Sequence, residues 1–172
     1  MNYKTILFSL VLMIASFSMS AQRVAIVDVS NILESLTDYQ AAQNEVDQIS
    51  AKWRQEIAQE YDKIKSMYNK FQAEQVLLSD EVKIEREDEI VAKEREVRDL
   101  QKRRFGPEGD LFRKRQELIS PIQDQVFTAI EQYAKIKGYD LIFDKAGAAG
   151  LLYANDEFDK TDEIKRELGI RN

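Results

Sequence analysis

From Asp38 to about Val76 the chain runs without Gly or Pro, and apolar residues recur every three or four positions. Val46, Ile49, Trp53, Ile57, Tyr61, Ile64, Tyr68 and Phe71 are separated by steps of 3, 4, 4, 4, 3, 4 and 3. That spacing is the seam of a coiled coil. The three successive four-residue steps form a stutter, which locally unwinds a supercoil. At a rise of about 1.5 Å per residue such a helix reaches about 60 Å. A globular domain of 172 residues has no need of a rod that long.

The rod must turn back, and Val76-Leu77-Leu78-Ser79-Asp80-Glu81 breaks its pattern. Ser79 or Asp80 can cap a new helix, with acids in its first turn to suit the helix dipole. Residues 82–104 predict a very polar return helix with a thin stripe of Ile84, Ile90, Val91, Val97 and Leu100. Opposite charges three or four apart, such as Glu89–Lys93 and Glu94–Arg98, support it. Phe105-Gly106-Pro107-Glu108-Gly109 interrupts the return. Gly106 suits a helix end and Pro107 the first turn of the next helix. A last long helix is expected from Glu108 to Lys137, with Ile119, Ile122, Val126, Ile130 and Tyr133 as its seam. Pro121 lies inside it and predicts a kink or a restart. Gly138 is its stop.

Strand signals lie at the two ends. Arg23-Val-Ala-Ile-Val-Asp28 is a short β-branched run. Asn31-x-x-Glu34 and Thr37-x-x-Gln40 each fit a capping box. Tyr139–Asp144 and Leu151–Ala154 are the other two strand candidates, joined as a hairpin by the small residues 145–150. A final helix is expected from Thr161 to Leu168, stopped by Gly169 with Ile170 in Schellman contact. The fold class is therefore mainly α with a small β body. A coiled-coil hairpin arm is inserted between N- and C-terminal strands. The divisions are a first body part at 22–37, the arm at 38–137 and a second body part at 138–172. The arm's tip falls near 76–82 and its break at 106–109. Three short strands cannot bury two faces alone, and a thin hairpin has little core. Both facts favour several copies pooling their strands.

Residues 1–21 read as a secretory signal peptide: Lys4, an apolar stretch from Ile6 to Phe17, then Ser18, Ser20 and Ala21. Cleavage is expected after Ala21, with an uncleaved anchor helix as the alternative. There is no Cys for lipidation, for disulfides or for a thiolate metal site, and no His for general base catalysis. The expectation is an exported, non-enzymatic protein without metal or cofactor, working where no ATP is supplied. The 25 basic and 31 acidic residues give −6, or −7 once Lys4 is removed. That balance opposes nucleic-acid binding.

The chain resembles the Skp/OmpH family of periplasmic chaperones. The residues carrying the resemblance are Val24-Ala-Ile-Val-Asp-Val29, Gly138-Tyr-Asp-Leu-Ile-Phe-Asp144 and Tyr153-Ala-Asn155, with a coiled-coil hairpin of matching length between them. The resemblance implies a homotrimer in which strands of three chains form a small β-barrel and three helical arms project from it. It implies that unfolded outer-membrane proteins are held between the arms, in the periplasm, without nucleotide or metal. Transient proximity to the membrane is consistent with that role. The best-known member is strongly basic and this chain is acidic, so no lipopolysaccharide site is carried over. Two local basic clusters, Lys102–Arg104 and Arg113–Arg115, flank the break. They are either contacts for acidic clients or phosphates, or a solvated helix surface.

A holdase needs many weak apolar contacts. Val76, Leu77 and Leu78 are consecutive, and neighbours on a helix point about 100° apart, so one seam cannot bury all three. Met67 beside Tyr68 poses the same problem, and methionine adapts to varied partners. These five are the client-contact candidates, unless they fill the hairpin's own tip. The expected trimer core is Val24, Ile26, Leu141, Phe143, Leu151 and Tyr153. Two other functions compete with a holdase. One is a coiled-coil envelope scaffold that binds a folded partner. The other is a carboxylate hydrolase, whose acids would have to converge rather than line exposed helix faces.

Overall fold

The computed structural model describes residues 22–147 and 151–170. The expected signal peptide and its cleavage point at Ala21 lie outside them, as do the last residues of the expected hairpin linker. The element order is β1 (Val24–Val27), α1 (Val29–Glu34), α2 (Thr37–Glu74), a 3-10 turn (Gln75–Leu77), α3 (Asp80–Phe105), α4 (Asp110–Lys137), β2 (Leu141–Asp144), a second 3-10 turn (Asp156–Phe158) and α5 (Thr161–Glu167). Two compact units result. One takes residues up to Ile32 together with those from Thr128 onward, and the other is Leu33–Phe127.

The first unit is built on a parallel pair. Val24, Ala25, Ile26 and Val27 of β1 lie opposite Leu141, Ile142, Phe143 and Asp144 of β2. Parallel strands require a crossover, and here the crossover is the whole helical tract between them. The other edge of β1 meets Asp159 in a parallel bridge at Ile26, and the Lys160 amide donates to the Ile26 carbonyl (2.8 Å). β2 has β1 as its sole strand neighbour among the described residues. Ala25, Ile26, Val27, Val29, Ile32, Tyr133 and Ile164 are buried.

Side chains tie the strand ends down. The Arg23 amide donates to Asp140 Oδ2 (2.8 Å), and its guanidinium stacks 4.8 Å from the Tyr139 ring. Tyr139 in turn stacks on Tyr133 (5.9 Å between centroids). The Asp28 amide donates to Thr161 Oγ1 (2.9 Å) and the Val29 amide to Asp144 Oδ1 (3.2 Å).

The strand expected at Leu151–Ala154 does not form; the segment carries no regular secondary structure. Leu152 is 97% and Tyr153 83% exposed, so no layer covers either of its faces. Strand propensity takes effect only where neighbours bury the side chains.

Helices stop where expected, but the expected side-chain caps do not form. Gly138 (φ 68°) and Gly169 (φ 76°) adopt the left-handed conformation. Tyr139 N–H then reaches back to Ala134 O (2.9 Å), and Ile170 N–H to Lys165 O (2.9 Å), which closes Schellman motifs. Neither capping box forms. Asp28, not Asn31, caps α1, its Oδ1 accepting from the Asn31 amide (2.9 Å). α2 starts after Leu36 with no side-chain cap, and Gln40 Nε2 donates instead to the Glu34 carbonyl (2.7 Å). Ser79 does precede α3, and Asp80 and Glu81 occupy its first turn, but the Ser79 side chain makes no capping bond. α4 begins at Asp110 rather than Glu108 and runs through Pro121 without a restart. Pro107 therefore sits in the turn before the helix.

In the second unit α2 and α3 pack as a hairpin. The break at 106–109 is a tight turn: Gly109 N–H bonds Gly106 O (2.9 Å), and a Cβ on Gly106 would overlap the Lys102 carbonyl. Glu108, not a glycine, takes the left-handed conformation there (φ 56°). Arg104 organises this elbow. Its guanidinium lies 4.4 Å from the Trp53 ring, its Nη1 binds Asp110 Oδ2 (2.8 Å), and its Nη2 approaches Glu56 (3.8 Å). Trp53 meets Phe105 edge-on at 6.4 Å. Arg113, and then Arg104, hold the Asp110 carboxyl below the ordinary carboxylate range.

Since Trp53 is the one tryptophan, Arg104→Ala should shift its fluorescence emission to the red. The lost stacking is expected to destabilise the elbow by about 1 kcal/mol. An unchanged emission spectrum would show that Arg104 does not rest on the indole.

Candidate functional site

The α2 seam keeps Ile57, Ile64 and Phe71 of the expected one but replaces Tyr61 and Tyr68 with Glu60 and Met67. Ile57 and Ile64 are buried with Ile90 and Val97 of α3, and Met67, Phe71, Leu100 and Phe105 pack against them. Seam positions on α2 are thus 57, 60, 64, 67 and 71, a regular alternation of three and four with Glu60 among them. Tyr61 and Tyr68 are turned out, 43% and 40% exposed. The cause is the stutter: three four-residue steps rotate the apolar stripe away from a single seam. Nearer the start of α2, Ala42 and Val46 pack with Ile119 of α4.

The two tyrosines are seven apart and share one flank of the hairpin. Tyr61 Oη donates to Gln101 Oε1 (3.3 Å) and Tyr68 Oη to Glu94 Oε1 (3.0 Å). The Glu94 carboxylate beside it raises the Tyr68 phenol above its ordinary pKa. On α3, Ile84 and Val91, also seven apart, are 60% and 46% exposed. These two belong to the stripe that the sequence assigned to the seam. Their exposure adds apolar surface that sequence reasoning did not count as contact surface. Heptad arithmetic from Ile90 and Val97 would have placed both off the seam.

The tip is the most apolar exposed part of this unit. Val76 is 86% and Leu77 88% exposed in the 3-10 turn. Leu78 is half-buried and turns inward. It lines a cavity of about 180 Å³ between α2 and α3, together with Met67, Phe71 and Ile90. The five client candidates therefore divide. Val76 and Leu77 are exposed, Tyr68 is partly exposed with its hydroxyl held by Glu94, and Met67 and Leu78 are engaged by the hairpin itself.

The basic clusters divide too. Arg104 is engaged at the elbow, Arg113 pairs with Asp110, and Lys114 pairs with Glu117 (2.7 Å). Lys102, Arg103 and Arg115 have no ion-pair partner among the described residues. A concerted anion site is not assembled from residues already paired with acids.

In the first unit Ile26 is buried and Val24 half-buried. Leu141 (48%), Phe143 (44%), Leu151 (38%) and Tyr153 (83%) are exposed within one chain. Leu141 and Phe143 lie on β2, whose second edge has no strand partner among the described residues. Such an edge is a template for pairing with another chain.

A charged layer crosses the α2–α3 seam. Glu60 accepts from Lys63 (2.6 Å) and forms an ion pair with Lys93 (3.0 Å), which also donates to Glu96 (3.0 Å). The bonds from Lys63 and Lys93 hold the Glu60 carboxyl below its ordinary range. Those to Glu96 and Glu60 raise Lys93 above the ordinary lysine range. A depressed carboxyl stabilises the fold fully above its unfolded pKa, about 4.3, and that contribution is lost as pH falls through the folded value. Circular dichroism of residues 22–172 should therefore show a hairpin weakening in acid over that window. Glu60→Gln should flatten this pH dependence; an identical acid limb in the variant would rule the layer out as its cause.

Two comparisons with known proteins bear on this geometry. The family model of outer membrane protein (OmpH-like) matches residues 23–168. Among solved structures, the chain is similar to the crystal structure of an OmpH-like outer membrane chaperone from Caulobacter crescentus CB15. The TM-score is 0.70 over 87% of this chain and 85% of that one, at 15% identity. At that identity the fold is what the two share. No curated protein sequence matches the chain.

Proposed function

Because the chain belongs to the OmpH-like outer membrane protein family, we propose that it is an ATP-independent holdase of the periplasm. Its clients are unfolded outer-membrane β-barrel proteins, held between helical arms and kept from aggregating. The observation that carries this reading is the tip: Val76 and Leu77 stand almost fully exposed on a long charged hairpin. A chain of net charge −6 can carry such apolar points and stay soluble. Apolar contacts without a shaped pocket suit a client that must remain mobile, since a disordered client keeps most of its conformational entropy.

Oligomerisation into a homotrimer completes the proposal. The open edge of β2, with Leu141 and Phe143 exposed, supports pooled strands. Leu151 and Tyr153, exposed in one chain, would find cover in such a body. Residues 1–21 serve as the cleaved export signal. No catalytic step is involved; binding energy does the work, and no lipopolysaccharide site is included.

The test is dilution of a urea-unfolded outer-membrane barrel into buffer containing the mature protein and no nucleotide, followed by light scattering. Suppressed scattering at near-stoichiometric protein is the expected result. Full aggregation of the barrel, with capture of a folded envelope protein instead, would replace the holdase by a scaffold.

A further inference from the structure

We infer that the Glu60–Lys93 pair fixes the register in which α2 and α3 lie against each other. The apolar part of the seam is nearly degenerate. Ile57 and Ile64 on α2 are seven apart, as are Ile90 and Val97 on α3. A slip by one heptad keeps one aliphatic pair, Ile64 with Val97 or Ile57 with Ile90, and the first of these also sets Phe71 against Ile90, so apolar contact discriminates weakly against that register.

The charged pair removes that degeneracy. Glu60 falls between Ile57 and Ile64, and Lys93 between Ile90 and Val97, with side chains only 19% and 28% exposed. One slip sets Glu60 against Leu100 and Lys93 against Met67, so the cross-helix ion pair is lost and each half-buried charge keeps only the partner on its own helix. Breaking a buried ion pair in that way is costly even where the pair itself adds little stability. The opposite slip brings Glu60 towards Arg86 but drives Lys93 against Trp53, displaces Arg104 from that ring, and moves the turn off the helix start after Ser79. Lys63 and Glu96 flank the pair on their own helices and hold its carboxylate and ammonium in place. A polar pair in a coiled-coil seam commonly specifies register in this way.

The chain contains no cysteine, so introduced pairs report register without background. In the full-length mature protein, Ile64→Cys with Ile90→Cys marks the observed register. Ile57→Cys with Ile90→Cys, and Ile64→Cys with Val97→Cys, mark the two slips. Intramolecular disulfide, read by mass, should form about tenfold faster in the first pair. Adding Glu60→Leu and Lys93→Leu should bring the slipped pairs to within about threefold of it. Swapping the pair together with its flanking residues, Glu60→Lys and Lys63→Glu with Lys93→Glu and Glu96→Lys, should restore the tenfold preference. An undiminished preference in the Leu–Leu protein would overturn the inference. So would a swapped protein that slips as freely as the Leu–Leu one.

Discussion

Val76→Ser combined with Leu77→Ser is expected to abolish most aggregation suppression while leaving the fold intact. Both side chains are over four-fifths exposed, so neither contributes packing that the hairpin would lose. Substitutions at such positions typically change stability by within about 0.5 kcal/mol. Their value lies in what they bury on binding. Covering one large aliphatic side chain is worth about 1.5–3 kcal/mol, and about 1.4 kcal/mol is a factor of ten in affinity. With several arms on one client the losses compound, because each contact raises the effective concentration for the next. Apparent affinity for an unfolded barrel should therefore fall by at least about tenfold. Leu78→Ser makes the contrasting variant. Leu78 lines the cavity behind the tip, so its loss should appear in thermal stability as well as in activity. Full activity in the Val76–Leu77 variant would remove the tip from the binding surface.

Ile26→Asp should have the largest effect on the β unit. Ile26 is 5% exposed and sits in the middle of β1. It faces Phe143 across one edge, and its carbonyl accepts from Lys160 at the other. A carboxylate placed there must either ionise away from solvent or bind a proton. Either outcome costs several kcal/mol, a large part of the roughly 5–15 kcal/mol that holds a domain together. The variant should lose cooperative unfolding of this unit and sediment as single chains. Much of the α2–α3 hairpin helicity should survive, since its seam lies within residues 33–127. An intact trimer would refute the pooled-strand body.

The long helices and their ends were legible in the residues because their signals are local. A Gly- and Pro-free tract, the breaks at Ser79 and Gly106, and the stops at Gly138 and Gly169 act within a turn or two. Three features were not legible, each because it depends on a distant partner. The seam was assigned to Tyr61 and Tyr68 alongside Ile57, Ile64 and Phe71, yet period alone does not show that Met67 complements α3 better than the two tyrosines. Including Glu60 restores the three–four alternation, but a charged residue is not counted as seam unless its partner Lys93 is known to face it. Leu151–Ala154 has strand composition and no strand neighbour. Arg104 reads as one of three consecutive basic residues, whereas Trp53, some fifty residues earlier, turns it into an internal contact. The caps fail for a different reason: the first helix already begins at Val29, so Asn31 lies inside it and Asp28 takes the N-cap place.

The most direct measurement is native mass spectrometry of the mature protein after dilution of an unfolded outer-membrane barrel from urea, without nucleotide. Three copies of this chain carrying one barrel, alongside barrel-free trimers, is the expected spectrum. Single chains without bound barrel, with the barrel lost to aggregate, would contradict the holdase and its trimeric body together.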